Sequence, residues 1–135
     1  MPAHTHFSRF AALLLLCAPG LAIAEDTNCY ETAMTQGAMQ ACAADALAAS
    51  QQQLDTIYTD LQERTQGDAA ALLNEAYQTW QAYRDAQCAF NGSASRGGSV
   101  HSMVVLQCRD ALTQAYIPVL ESQLHCEEGD VSCSP

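Results

Sequence analysis

The chain has 135 residues, with 15 acidic residues against five basic ones and a formal net charge of −10. This acidity excludes nucleic-acid binding and attachment to an anionic membrane surface, because both require a basic surface. The length allows one small domain and excludes a second hydrophobic core. The acidity itself either maintains solubility or attracts a basic partner.

Residues 1–24 are predicted to be a signal peptide. Their apolar run, residues 10–17, is too short to span a bilayer, and Ala22–Ala24 has the small-x-small pattern that precedes cleavage. Leucines directly precede Cys17, which argues against a lipoprotein anchor there. The mature chain, residues 25–135, is expected to be periplasmic or secreted, without membrane insertion. Its four arginines and 15 acidic residues give a net charge of 4 − 15 = −11.

An even number of cysteines in a short exported chain predicts a disulfide framework. Zinc binding is the alternative use, but no close Cys-x-x-Cys or Cys-x-x-His pair is present. The six cysteines of the mature chain are Cys29, Cys42, Cys88, Cys108, Cys126 and Cys133.

The pairing is only partly determined by position. Cys126 and Cys133 lie in a short polar tail and most simply pair with each other. For the other four we favour Cys29–Cys42 and Cys88–Cys108. The main rival is Cys42–Cys88, which the helical hairpin described next would bring near the same end.

The first long helix is predicted from Met39 to about Thr65, with Thr35 as a plausible N-cap before it. Alanine and glutamine, which favour helix, are abundant. Apolar residues recur at spacings of mostly three and four. They are Met39, Cys42, Ala46, Leu47, Leu54, Ile57, Tyr58 and Leu61.

A short turn separates this helix from the second, which is predicted from about Ala69 to Ala89. Gly67 suits a left-handed helix end, and Asp68 can cap the next helix. A connection this short makes the two helices antiparallel neighbours.

Residues 91–102 are rich in Gly, Ser and Asn and predict a long loop. Its Gly97-Gly98 pair could let backbone N–H groups converge on an anion, but the sequence of a nucleotide P-loop is absent. Ser102 can cap a third helix, from Met103 to about Leu124. Pro118 should kink or split that helix.

Three residues of the second helix are expected to anchor the core: Trp80, Tyr83 and Arg84. The only tryptophan provides the largest apolar surface, and Arg84 can pair with a neighbouring carboxylate. The alternative is a binding face centred on Trp80 and Arg84. We therefore predict an all-α, disulfide-stapled bundle in which two long antiparallel helices and a third, kinked helix pack together. The predicted core residues are Trp80, Tyr83, Leu54, Tyr58 and Leu112.

The chain resembles the LprI-type lysozyme inhibitor domain over about residues 29–120. The resemblance rests on the cysteines, the Trp-x-x-Tyr-Arg-Asp-x-x-Cys run and the Gly-Gly-Ser segment of the loop. The matching residues are Cys29, Thr35, Gln36, Met39, Cys42, Leu54, Asp55, Tyr58, Trp80, Tyr83, Arg84, Asp85, Cys88, Gly97, Gly98, Ser99, Met103, Cys108, Leu112 and Thr113. Tyr116, where the family often has arginine, Pro118 and the Cys126–Cys133 tail depart from the pattern.

No catalytic residue, metal site or cofactor is predicted. Ser99 and Ser102 flank His101, but no orienting acid is evident in the sequence. A copper site formed by His101, Met103 and His125 is also disfavoured, because Met103 is expected to pack in the core.

The resemblance implies an inhibitor that binds lysozyme, a basic protein with an acidic catalytic cleft. An acidic chain would gain electrostatic steering towards such a partner. The expected partner-binding residues lie on the long loop and are Arg96, Gly97, Gly98, Ser99 and His101. The alternative is a structural or interaction protein of the bacterial envelope with no lysozyme activity. The sequence leaves the oligomeric state open.

Overall fold

A computed structural model describes residues 28–127 and 129–133. The predicted signal peptide lies outside these residues. The described chain forms helices and no strands, which confirms the all-α prediction. The elements are α1 (Cys29–Thr32), α2 (Gln36–Arg64), α3 (Gly67–Asn91), a short 3₁₀ helix (Ser93–Ser95) and α4 (His101–Leu124).

The start of α2 is fixed by the predicted cap. Thr35 has extended backbone angles, and its Oγ1 accepts a hydrogen bond from the Ala38 N–H at 3.1 Å. The helix begins at Gln36, three residues earlier than predicted. The alanine-rich segment that follows therefore continues a helix already nucleated at Thr35.

The turn between α2 and α3 is shorter than expected. Gly67 has the predicted positive φ, +59°, which glycine adopts without steric cost. It begins α3, however, and does not end α2, whose C-cap is the extended Thr65. The prediction that Asp68 caps α3 is wrong. Gln66 occupies the N-cap without a side-chain hydrogen bond, and Asp68 lies in the first turn, where its carboxylate faces the positive end of the helix dipole.

The three long helices run up, down and up. The contacts Tyr58–Asn74 and Gln51–Arg84 pair rising positions in α3 with falling positions in α2, so these helices are antiparallel, as predicted. Gln36 contacts Met103 near the start of α2 and α4, which makes this second pair parallel.

The closest helix pair is α2 with α4, not α2 with α3. Small side chains of α2 are buried in its packing, including Cys42, Ala43 and Ser50. Small residues allow two helix axes to approach closely. In contrast, α3 reaches α2 and α4 mainly through long polar and aromatic side chains.

The core lies where α2, α3 and α4 meet. Leu54 is fully buried, which confirms its prediction as a core residue. Tyr58 and Trp80 pack against the core from its margin, and Leu112 is half-buried. The buried cluster is Leu54, Ile57, Leu61, Tyr77, Ile117 and Leu120.

The prediction that Tyr83 anchors the core is wrong, because its side chain is 55 % exposed. Tyr77 is buried instead. At about 100° per residue, Trp80, Arg84 and Cys88 share one face of α3 with Tyr77, whereas Tyr83 points about 120° away from Tyr77. The sequence alone was compatible with burial of either tyrosine, Tyr77 or Tyr83.

The third long helix begins at His101 and runs without interruption through Pro118. Of the two expected outcomes at Pro118, a kink or a split, the split is not present; the proline is exposed on the surface of α4. The expected cap at Ser102 is also wrong. Val100 is the N-cap residue, with no side-chain bond, and Ser102 lies inside the first turn.

Three disulfides join the cysteines in the favoured pattern, Cys29–Cys42, Cys88–Cys108 and Cys126–Cys133. The rival Cys42–Cys88 pairing is not formed. The first bond attaches α1 to α2, the second attaches the end of α3 to α4, and the third closes the tail. A framework of this kind is typical of an extracytoplasmic protein.

Within the described residues, no helix combines the length and apolarity needed to cross a membrane. The same residues contain no group of three or more His, Cys, Asp or Glu side chains that could hold a metal ion.

Candidate partner-binding site

The segment between α3 and α4 is a compact series of turns. Ser95 N–H donates to the Gly92 carbonyl at 3.0 Å, and Gly98 N–H donates to the Ser95 carbonyl at 2.9 Å. His101 N–H then donates to the Gly98 carbonyl at 3.2 Å. The Gly98 N–H is thus already used within the loop, which argues against the anion-binding arrangement considered for Gly97-Gly98.

Gly92, the first residue after α3, packs closely against the start of α4. A Cβ at this position would lie 2.8 Å from Val105 Cγ2 and 3.2 Å from His101 Cε1. Gly92 has ordinary helical backbone angles, φ −79° and ψ −4°, so space rather than conformation demands glycine. Gly92 was not predicted from the sequence, because a glycine in a Gly- and Ser-rich loop gives no sign of close packing.

His101 supports the loop from inside. Its Nδ1 lies 3.1 Å from the Gly92 carbonyl oxygen and 3.2 Å from Ser95 Oγ. A carbonyl only accepts, so a hydrogen bond to Gly92 requires the proton on Nδ1. The ring is half-buried in this arrangement. The half-buried His101 therefore differs from the other predicted loop residues, 96–99, which are exposed.

Arg96 lies at the exposed part of the loop, followed by Gly97, Gly98 and Ser99, which are also exposed. Gly97 has a φ of +82°, a value that favours glycine, and so turns the chain directly after the arginine. These four residues form one exposed surface, which we call the Arg96 loop.

Arg96 differs from the other arginines in the described part of the chain. Arg84 and Arg109 both contact Asp85, and Arg64 donates to the Leu124 carbonyl at 3.4 Å. No hydrogen bond or ion pair of the Arg96 side chain is found among the described residues. Its guanidinium is thus an exposed positive charge available to a partner.

Arg84, considered from the sequence as the centre of a binding face, is instead held inside the bundle. One nitrogen donates to Gln51 Oε1 at 2.6 Å and to Thr113 Oγ1 at 3.2 Å, joining α3 to α2 and α4. Its Nε donates to Asp85 at 3.2 Å, and its guanidinium carbon lies 5.0 Å from the centre of the Trp80 ring. Only 12 % of the side chain is exposed.

The polar network continues from Arg84 to the centre of α3. Tyr77 donates its hydroxyl hydrogen to Asp55 Oδ1 at 2.7 Å. Burial of the ring, together with the hydrogen bond to the Asp55 carboxylate, raises the pKa of Tyr77 to about 12. Burial also raises the pKa of Tyr116. Gln51 donates to the Tyr77 hydroxyl at 3.2 Å and accepts from Arg84, so the polar groups of Tyr77 and Arg84 are used in contacts between helices.

The outward face of α3 was missed as a feature of the sequence. Leu72, Tyr83 and Phe90 are 64 %, 55 % and 73 % exposed. Their spacings of 11 and 7 residues place them on a common face of the helix, but Tyr83 was predicted to lie in the core and the other two were not singled out.

The described residues contain no arrangement of side chains that would support catalysis. Ser95 is the serine nearest the His101 ring, but its hydroxyl donates to the Gly92 carbonyl at 2.9 Å. No carboxylate is among the contacts of His101. Without an acid to orient the histidine, the Ser95–His101 pair lacks the third member of a hydrolytic triad.

The fold and the loop define a small acidic three-helix domain that is cross-linked by disulfides and exposes one arginine loop. The family model described as "Lysozyme inhibitor LprI" matches residues 27–120. The chain therefore belongs to the LprI lysozyme inhibitor family.

An uncharacterized protein of Rhizobium meliloti (strain 1021) is 30 % identical over 132 residues, which cover 87 % of this chain and 94 % of that protein. No solved structure matches the chain.

Proposed function

We propose that this protein is exported and acts as a non-catalytic inhibitor that binds a basic lysozyme. The observation that carries the proposal is the family match over residues 27–120, because that family is one of lysozyme inhibitors rather than enzymes. Removal of residues 1–24 as a signal peptide is part of the proposal. The three disulfides support an oxidising, extracytoplasmic location.

The charge of the chain supports a basic partner. Most carboxylates of the described residues are exposed to solvent, among them Asp45, Glu63, Asp68, Glu75 and Glu121. The mature net charge of 4 − 15 = −11 would attract a positively charged lysozyme over distances of about one Debye length, roughly 8–10 Å at ordinary ionic strength. We therefore expect fast association that slows as salt is added.

The Arg96 loop supplies the local contact in this proposal. A lysozyme cleft contains catalytic carboxylates, and a guanidinium binds a carboxylate through two parallel hydrogen bonds. Arg96 is exposed, and the described chain offers it no carboxylate of its own. We infer that Arg96 approaches the cleft while the acidic helices face the basic rim.

A lysis assay tests the function. The oxidised mature chain, residues 25–135, is titrated against a C-type lysozyme while the clearing of a bacterial cell-wall suspension is recorded. Inhibition that weakens with added salt is the expected result. Lack of both binding and inhibition at low salt would contradict the proposal and favour an envelope protein with a different partner.

A charge-matched pair of variants tests the loop. Arg96→Ala is expected to weaken inhibition about tenfold or more, since it removes a charged hydrogen bond at the cleft. Arg64→Ala removes the same charge at the opposite end of the bundle, where Arg64 contacts Leu124. It should inhibit like the parent. Equal inhibition by the parent and Arg96→Ala would remove Arg96 from the contact.

A further inference from the structure

The outward face of α3 has a line of large apolar side chains: Leu72, Tyr83 and Phe90. More than half of each side chain is exposed. Their spacings of 11 and 7 residues place them within about 20° of one another around the helix axis. The first and last of them are 18 positions apart, which corresponds to about 27 Å along the helix at 1.5 Å per residue. We call this line the α3 stripe.

A shallow groove joins the first two residues of the α3 stripe. Its lining consists of Leu72, Glu75, Ala76, Thr79, Trp80 and Tyr83. The Trp80 ring stacks on Tyr116 with centroids 4.3 Å apart, which holds the floor of the groove in place. An apolar recess with a fixed aromatic floor and an acidic residue at its margin is suited to receive a protein side chain.

The α3 stripe does not contribute to the core. The opposite side of α3 carries Tyr77, Arg84 and Cys88, which contact α2 and α4. Burying the stripe would therefore leave the bundle unchanged. Contiguous exposed apolar surface marks an interaction site, unlike single scattered side chains, and the groove connects Leu72 to Tyr83 through Ala76 and Trp80.

Charge decides between two occupants of this surface. A second copy of the chain would bring together two proteins that each carry a net charge of 4 − 15 = −11, and their repulsion opposes such a dimer. A basic protein would instead be attracted, since Glu75 lines the groove and Asp68 is exposed four residues before Leu72. The charge balance thus favours a basic partner.

The α3 stripe also leads to the Arg96 loop. Phe90 is in the last turn of α3, two residues before Gly92, at which the loop begins. Aromatic residues and arginine are the types most often found to dominate the energy of protein interfaces. A partner that contacts Arg96 could therefore also contact Phe90, which is six residues earlier in the chain.

We propose that the α3 stripe is the docking surface for the lysozyme, with Tyr83 and Phe90 as its principal contacts. This proposal rests on the proposed function. It adds an apolar contact to the electrostatic one and assigns it to a face that the core does not use.

The test compares the parent with Tyr83→Ala, Phe90→Ala and the control Val119→Ala in binding to a C-type lysozyme by titration calorimetry. Val119 is 54 % exposed on α4 and lies outside the α3 stripe. Each stripe variant is expected to weaken binding about tenfold or more, and the control to stay within about twofold. All three residues are exposed, so circular dichroism should show parent-like helix content.

The outcomes separate the two proposals. If the parent binds and both stripe variants bind equally well, the docking surface is wrong and the inhibitor function stands. If the parent does not bind, the function fails and the docking surface fails with it. If sedimentation shows a parent dimer that the stripe variants convert to monomers, the stripe is a self-association surface and the proposal is overturned.

Discussion

The hydroxyl of Tyr77 donates to Asp55 Oδ1 at 2.7 Å and thereby connects the middle of α3 to the middle of α2. The same ring stacks on Tyr58 with centroids 4.0 Å apart. One side chain thus contributes both a buried aromatic surface and a charge-assisted hydrogen bond to the helix pair. The stability of the bundle should depend on the protonation state of this tyrosine.

We expect the protein to lose stability at alkaline pH through Tyr77. Its pKa is raised from 10.0 to about 12, so the folded state holds the proton more tightly than the unfolded state. The resulting stabilisation is complete below pH 10 and is lost as the pH rises towards 12. From pH 9 to pH 11 the free energy of unfolding should fall by about 1 kcal/mol through this residue.

Urea unfolding of the parent and Tyr77→Phe at pH 9 and pH 11 measures this effect. The variant should be less stable than the parent at pH 9, because it lacks the hydrogen bond, and should lose less stability by pH 11. An equal loss in both proteins would show that Tyr77 is not the group responsible.

Replacement of Arg84 should destabilise the bundle even when the charge is kept. Arg84→Lys retains a positive charge but cannot reach Gln51, Thr113 and Asp85 together, because a single ammonium lacks the fork of the guanidinium. We expect a loss of about 1–3 kcal/mol in the free energy of unfolding, measured by urea titration. Arg64→Lys, on the surface, should change it by less than about 0.5 kcal/mol. Equal stability of the two variants would contradict the role assigned to Arg84.

Gly92 should not tolerate a methyl group. In Gly92→Ala the new Cβ would meet Val105 Cγ2 at 2.8 Å, and relieving this overlap should cost about 1–3 kcal/mol. Gly37→Ala is the matched control, since nothing lies within 4 Å of a Cβ at that helical position. It should be neutral or stabilise by up to about 1 kcal/mol. Thermal unfolding of both variants compares them, and a Gly92→Ala protein as stable as Gly37→Ala would refute the packing argument.

Removal of the Cys88–Cys108 disulfide should cost more than removal of Cys126–Cys133. The first spans 20 residues and joins two helices, whereas the second spans 7 residues within the tail. Cross-linking residues farther apart restricts the unfolded chain more. We expect Cys88→Ala/Cys108→Ala to lose about 2–4 kcal/mol and Cys126→Ala/Cys133→Ala to lose less, as measured by urea unfolding. The reverse order would show that the tail has a larger structural role than its exposure indicates.

Local signals allowed the helices and their order to be predicted from the sequence. Thr35 acts as the expected cap, Gly67 has the expected positive φ, and the short connection makes α2 and α3 antiparallel. Each of these depends on residues close together in the chain. Their physical causes, a side-chain cap and a residue with positive φ, can therefore be predicted from the local sequence without knowledge of the fold.

The packing arrangement could not be predicted in the same way. Ala43 and Ser50 are buried in α2, but small residues give a weak hydropathy signal, so α4 was not predicted as its closest neighbour. Tyr77 and Tyr83 are chemically alike, and only the position of α2 decides which of them is buried. Likewise, only the approach of Val105 reveals why residue 92 is glycine.

The unequal attachment of α3 predicts how its backbone amides exchange with deuterium. The Cys88–Cys108 bond fixes the end of α3 covalently to α4, whereas its beginning follows a two-residue connection and is held by side-chain contacts alone. The first turns of α3 can open while α2 and α4 remain packed. Among the amides of α3 that donate to a carbonyl four residues earlier, isotope uptake should therefore be fastest near Leu72 and Leu73 and slowest near Cys88. The helix then opens from its first turns while its disulfide-bonded end stays fixed.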